Sequence, residues 1–123
     1  MSSGEISTEL EKFTHANITS IEQLEILLLL FEENDRAWSP TDVAARLYIQ
    51  PDSARDRLTD LANKGLATCR LDPEPRYQYT NSDGRRHLLV RELLEAYRIR
   101  RVAIISLVFS IDEDRLSDRK LFS

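Results

Sequence analysis

Apolar positions recur along the chain first at helical and then at strand spacing. In "TSIEQLEILLLLFEEN", Leu24, Leu27, Leu28 and Phe31 recur every three or four residues, which predicts a helix. Ser20 and Gln23 stand at capping-box spacing at its start, and Asn34 ends the run. "SPTDVAARLYI" predicts a second, short helix. Ser39 is a natural N-cap, Pro40 suits a first turn where its missing N–H costs nothing, and Asp42 favours the positive helix end. Val43, Ala44 and Leu47 give its buried face. A tight turn over "YIQ" leads to Pro51 and a third helix running to about Lys64, with Gly65 as the left-handed stop. After Gly65 the period becomes two. "LATCRL" and "RYQYT" predict short strands around the proline-punctuated loop "DPEP". From "NSDGRR" onwards Leu88, Leu89, Leu93, Leu94, Tyr97, Val102, Ile105, Leu107, Val108 and Phe109 predict one helix of about 25 residues. Residues 1–17 are polar and read as an arm or a short helix. The closing "DEDRLSDRKLFS" is charged, with Leu116, Leu121 and Phe122 placed to dock back.

Helix, helix, turn, helix, strand, loop, strand, long helix is the layout of a winged helix-turn-helix. "SPTDVAARLYIQPDSARDRLTDLANKGL" followed by "RYQYTNSDGRR" resembles bacterial winged-helix regulators of the MarR and PadR kind, over about residues 20–100. The resemblance implies a mainly α fold with a small β-hairpin wing and a long C-terminal dimerisation helix. It divides the chain into an N-terminal arm (1–19), a winged helix domain (20–84) and a dimerising C-terminal helix and tail (85–123). The wing departs from the MarR pattern: "DPEPR" keeps Asp72 and Arg76 but is short and holds two prolines and Glu74.

Composition narrows the picture without deciding it. The chain of 123 residues is 41% hydrophobic and 31% charged, which suits one globular domain. Its net charge of −4 is unevenly spread. Residues 1–38 carry eight acids against two bases, whereas residues 39–101 carry twelve bases against nine acids, so a polyanion would meet the second block. The start, "MSSGEISTEL", has neither the basic nor the apolar region of a signal peptide. The densest apolar run, residues 102–109, is too short to span a membrane. With Cys69 the single cysteine, no internal disulfide forms, and a reducing cytoplasm is the expected compartment.

The third helix carries the main question. At 100° per residue, Ala54, Leu58, Leu61 and Ala62 share one side. Asp52, Asp56, Thr59, Asp60 and Asn63 fall opposite. Aspartates presented to DNA oppose the phosphate attraction that supplies most affinity, so the central face is a poor reader. The favourable residues are Ser53, Arg55, Arg57 and Thr59 on this helix, Arg46 on the second, and Arg70 and Arg76 bracketing the wing. The alternative is that the arginines pair with nearby acids, three or four residues away on the helix or across the strands.

The last helix points to a partner. Leu94, Tyr97, Arg101, Ile104, Val108 and Ile111 alternate at three and four residues, as a packing seam does. Ile99, Val102, Ile105 and Phe109 make a second apolar side, so cover is needed on more than one face. The same helix of a second copy is the expected cover, with Leu94, Tyr97, Ile104, Ile105, Val108 and Phe109 as dimerisation residues. No metal cluster, phosphate loop or nucleophile motif is present, so no cofactor, metal or catalysis is expected. Cys69 reads as a small, partly buried hydrophobe rather than a redox sensor, His15 and His87 as surface or capping residues, and Trp38 as a core or interface anchor. The expected function is a homodimeric DNA-binding transcriptional regulator that meets duplex DNA and no membrane. The alternative is a winged-helix module that binds another protein and not DNA.

Overall fold

The computed structural model describes residues 6–71, 73–80 and 83–110. Ile111, Leu116, Leu121, Phe122 and Asp72 lie outside the described residues. The chain divides into two compact units, Glu22–Gly84 and a second made of Met1–Ile21 with Arg85–Ser123.

In the unit Glu22–Gly84, α2 (Ile21–Glu32) is buried along nearly its whole length, because its leucine run is apolar all round. α3 (Pro40–Leu47) starts where Ser39 Oγ accepts the Asp42 N–H at 3.1 Å, as the cap pattern predicts. α4 (Pro51–Asn63) packs through Ala54, Leu58 and Leu61, and Gly65 then takes a φ of 76° that lets the chain turn into the hairpin. β1 (Ala67–Leu71) pairs antiparallel with β2 (Pro75–Tyr79), Cys69 opposite Tyr77 and Arg70 opposite Arg76. The hairpin runs out of the core after Ala67, so Cys69 is exposed rather than partly buried as expected.

Trp38 adds a third, one-residue strand. Its N–H donates to the Tyr77 carbonyl at 2.7 Å and its carbonyl accepts the Tyr77 N–H at 2.7 Å. The indole is buried, and the Arg36 guanidinium lies 3.7 Å from its ring centroid. Phe31, at the end of α2, meets Tyr79 edge-on at 5.2 Å. Wing, α2 and the start of α3 are thus tied together within one unit.

The other unit holds α1 (Thr8–Asn17), α5 (Gly84–Ile99) and α6, helical through 101–110. α1 is capped by Ser7 and buries Leu10 and Phe13, so the polar start contains a helix. The single long helix of the sequence reading is interrupted at Arg100, although the Arg100 N–H still reaches the Ala96 carbonyl at 2.6 Å. The apolar stripe would carry Arg101 inward, where an unpaired charge is costly. Arg101 instead stays exposed, its guanidinium 4.7 Å from the centroid of the Tyr97 ring. Leu94, Tyr97, Ile104 and Val108 are buried within the single chain, while Ile99, Val102 and Phe109 are 74%, 77% and 55% exposed.

Candidate nucleic-acid interface

Between them, α3, α4 and the hairpin carry all seven residues singled out for DNA contact. α4 offers Asp52, Arg55, Asp56, Thr59 and Asn63 to solvent. Asp60 does not belong to that outward set. It is half-buried, accepting from the Gln23 Nε2 amide at 2.6 Å and from Lys64 Nζ at 3.0 Å. Gln23 is fully buried, so this bond satisfies an amide that would otherwise lose its water for nothing. The expected ladder of three aspartates is therefore two.

Each arginine but one already holds a carboxylate. Arg55 pairs with Asp52 at 3.4 Å, three residues back on the helix, as the alternative reading expected. Arg57 instead reaches Glu22 of α2 through its Nε at 3.4 Å, and the Ser53 hydroxyl donates to the same Glu22 oxygen. Arg46 lies 3.2 Å from Glu33. Arg76 lies between Glu74 at 3.3 Å and Asp42 at 3.7 Å, and Asp42 also faces Arg36 at 3.9 Å. Thr59 shares a 3.3 Å hydrogen bond with the Tyr77 hydroxyl, which fixes the outer face of α4 to the hairpin. Among the described residues, Arg70 carries no ion pair, and its cross-strand neighbour is the like-charged Arg76.

These pairs are exposed or half-exposed, the range in which an ion pair contributes about 0–1 kcal/mol. A phosphate can therefore exchange for a carboxylate at each arginine, but the displaced acid stays nearby and opposes the newcomer. The surface can take a polyanion only where shape fit or additional donors outweigh that competition. The sequence pattern finds the arginines. It misses Glu22, Glu33 and Asp42 as their partners, because those contacts join segments distant in the chain or pass from helix to strand. Among the described residues no cluster of histidine, cysteine or acidic side chains is built to hold a metal ion, and no helix is long and apolar enough to cross a membrane.

No family model matches the chain, and no characterised protein matches it in sequence. Solved structures do resemble it. The crystal structure of MepR, a transcription regulator of the Staphylococcus aureus multidrug efflux pump MepA, aligns over 97% of this chain and 87% of its own, with a TM-score of 0.57 and 16% identity. A mutant of Lactococcus lactis ZitR aligns over 100% of this chain and 80% of its own, with a TM-score of 0.51 and 15% identity. At such identities the likeness is one of fold: this chain has the mainly helical winged-helix fold with a two-stranded hairpin, as MepR does.

Proposed function

We propose that this chain is a homodimeric transcriptional regulator that binds duplex DNA with its winged helix-turn-helix and performs no catalysis. The observation that carries the reading is the outward face of α4. It is joined to the hairpin through Thr59 and Tyr77, and the same unit exposes Arg46 on α3 and Arg70 on β1. The likeness to MepR, itself a transcription regulator, supports the same use of the fold. In this reading Arg46, Arg55, Arg57, Arg70 and Arg76 meet phosphates, and Ser53 and Thr59 lie nearest the base edges. The exposed Ile99, Val102 and Phe109, beside the half-buried Ile105, form the apolar surface that a second copy covers. The fold likeness to MepR favours the MarR kind over the PadR kind, although the short, proline-containing wing departs from the MarR pattern. The reading places the protein in a reducing cytoplasm.

A second reading rests on charge. Residues 22–84 carry twelve acids against seven bases, an unusual balance for a surface that must approach phosphate. It favours a winged-helix module that holds another protein.

Titration against mixed-sequence duplex DNA at two low salt concentrations decides between them. A DNA regulator binds with an affinity that falls steeply with salt and that weakens in Arg55→Ala and Arg57→Ala. No binding at the lower salt overturns the regulator in favour of the protein-binding module. Sedimentation of the same sample tests the dimer, and a lone 14.3 kDa particle at micromolar concentration overturns it.

A further inference from the structure

The turn between α3 and α4 holds a side chain that the fold does not use. Tyr48 has φ 59° and ψ 46°, the left-handed region, and among the described residues it is the one non-glycine residue with positive φ. The backbone requires that conformation. The N–H groups of Tyr48 and Ile49 both donate to the Ala44 carbonyl, the latter at 3.1 Å, which closes α3 and leaves three residues, Tyr48 to Gln50, before α4 begins. Glycine adopts this geometry freely, whereas a tyrosine crowds its Cβ against the following carbonyl. The ring gains nothing in return from burial, since Tyr48 is 94% exposed. A bulky residue at a strained position, with its side chain wholly in water, is the signature of a contact made outside the chain.

We propose that the Tyr48 hydroxyl donates a hydrogen bond to a backbone phosphate of duplex DNA, as a neutral contact beside the charged ones; the inference rests on the DNA-binding reading above. Three features favour it. The turn leads directly into α4, whose outward face is the candidate reader. Exposed Arg46 and Arg55 flank it in the chain, and Asp52, the exposed acid of the same stretch, is ion-paired to Arg55. A phenol is also free of the competition that limits the arginines, because it has no carboxylate to leave behind. A protein-docking role is less well served. The apolar residues beside it in the chain are the half-buried Leu47 and Ile49 and the exposed Ala45 and Pro51, short of a patch that would hold a partner.

A neutral donor releases no counterion, which gives the contact a recognisable signature. The full chain, Tyr48→Phe and Tyr48→Gly are titrated against mixed duplex DNA over a series of salt concentrations, with thermal melting alongside. Tyr48→Phe is expected to bind roughly tenfold more weakly, with the slope of affinity against salt and the melting temperature both unchanged. Tyr48→Gly is expected to melt higher, having lost the strain, yet to bind no better than Tyr48→Phe. Arg55→Ala, by contrast, lowers the salt slope by about one. Parent-like affinity in Tyr48→Phe overturns the contact, as does a change of about one in its salt slope. If Tyr48→Gly fails to fold, Tyr48→Phe carries the test by itself. A parent chain that does not bind DNA at low salt overturns the DNA-binding reading and this inference with it. A binding parent with unaffected Tyr48→Phe removes the inference alone.

Discussion

α2 and α4 have nearly the same length, twelve and thirteen residues, and meet solvent in opposite ways. Seven residues of α2 are buried, among them the run from Ile26 to Leu30, whereas α4 buries Ala54, Leu58 and Leu61 alone. The run in α2 is apolar on every side and is covered on every side. One stripe of α4 closes the core and the rest is charge. The difference separates two kinds of constraint. α2 answers to packing, where a lost methylene is felt at once. The outward residues of α4, Arg55 and Asp56 above all, answer to whatever meets the surface. The two helices are joined by polar contacts at the start of α2: Gln23 to Asp60, and Glu22 to Ser53 and Arg57.

The largest effect is expected from Leu27→Ala on α2. Leu27 is fully buried, and truncation should cost about 2–5 kcal/mol in a denaturant titration. A cost below about 1 kcal/mol would mean that packing around α2 does not stabilise the unit. Gln23→Ala comes next, at about 1–3 kcal/mol, because Asp60 loses its buried amide donor and keeps Lys64. Gln23→Leu restores the side-chain volume but not the hydrogen bond, so a variant as unstable as Gln23→Ala would assign the loss to the bond. The smallest effect on folding belongs to Asp56→Asn on the outer face of α4. Its melting temperature should correspond to a change within about 0.5 kcal/mol, while on the proposed DNA-binding reading affinity for duplex DNA rises, one acid fewer opposing the phosphates. A stability loss as large as that of Gln23→Ala would erase the contrast between the helices.

The order of elements was legible in the chain. Ser39 and Pro40 mark a helix start, Gly65 a left-handed stop and the alternating "RYQYT" a strand, and the structure places each accordingly. Legibility falters where one residue does the work of an element. Trp38 completes the small sheet by itself, and one residue has no period to read. Tyr48 occupies a position whose backbone favours glycine, and its ring hides the turn chemistry from a pattern search. The interruption at Arg100 is hidden as well, since no proline or glycine marks it.

On the candidate interface, the pattern identified the basic and hydroxyl side chains but left several of them a false freedom. On an ideal α4 Asp60 sits on the solvent side and Arg57 on the flank, yet α2 reaches over and engages both, through Gln23 and Glu22. Local signals such as caps, stops and apolar periods depend on residues a few places apart, and those the chain settled for itself. Which acid meets which arginine depends on segments some thirty residues apart in sequence that only packing of the unit brings within hydrogen-bond reach. Side-chain charge is a property of the residue, but whether that charge is available is a property of its neighbours in space, and the tertiary structure alone supplied them.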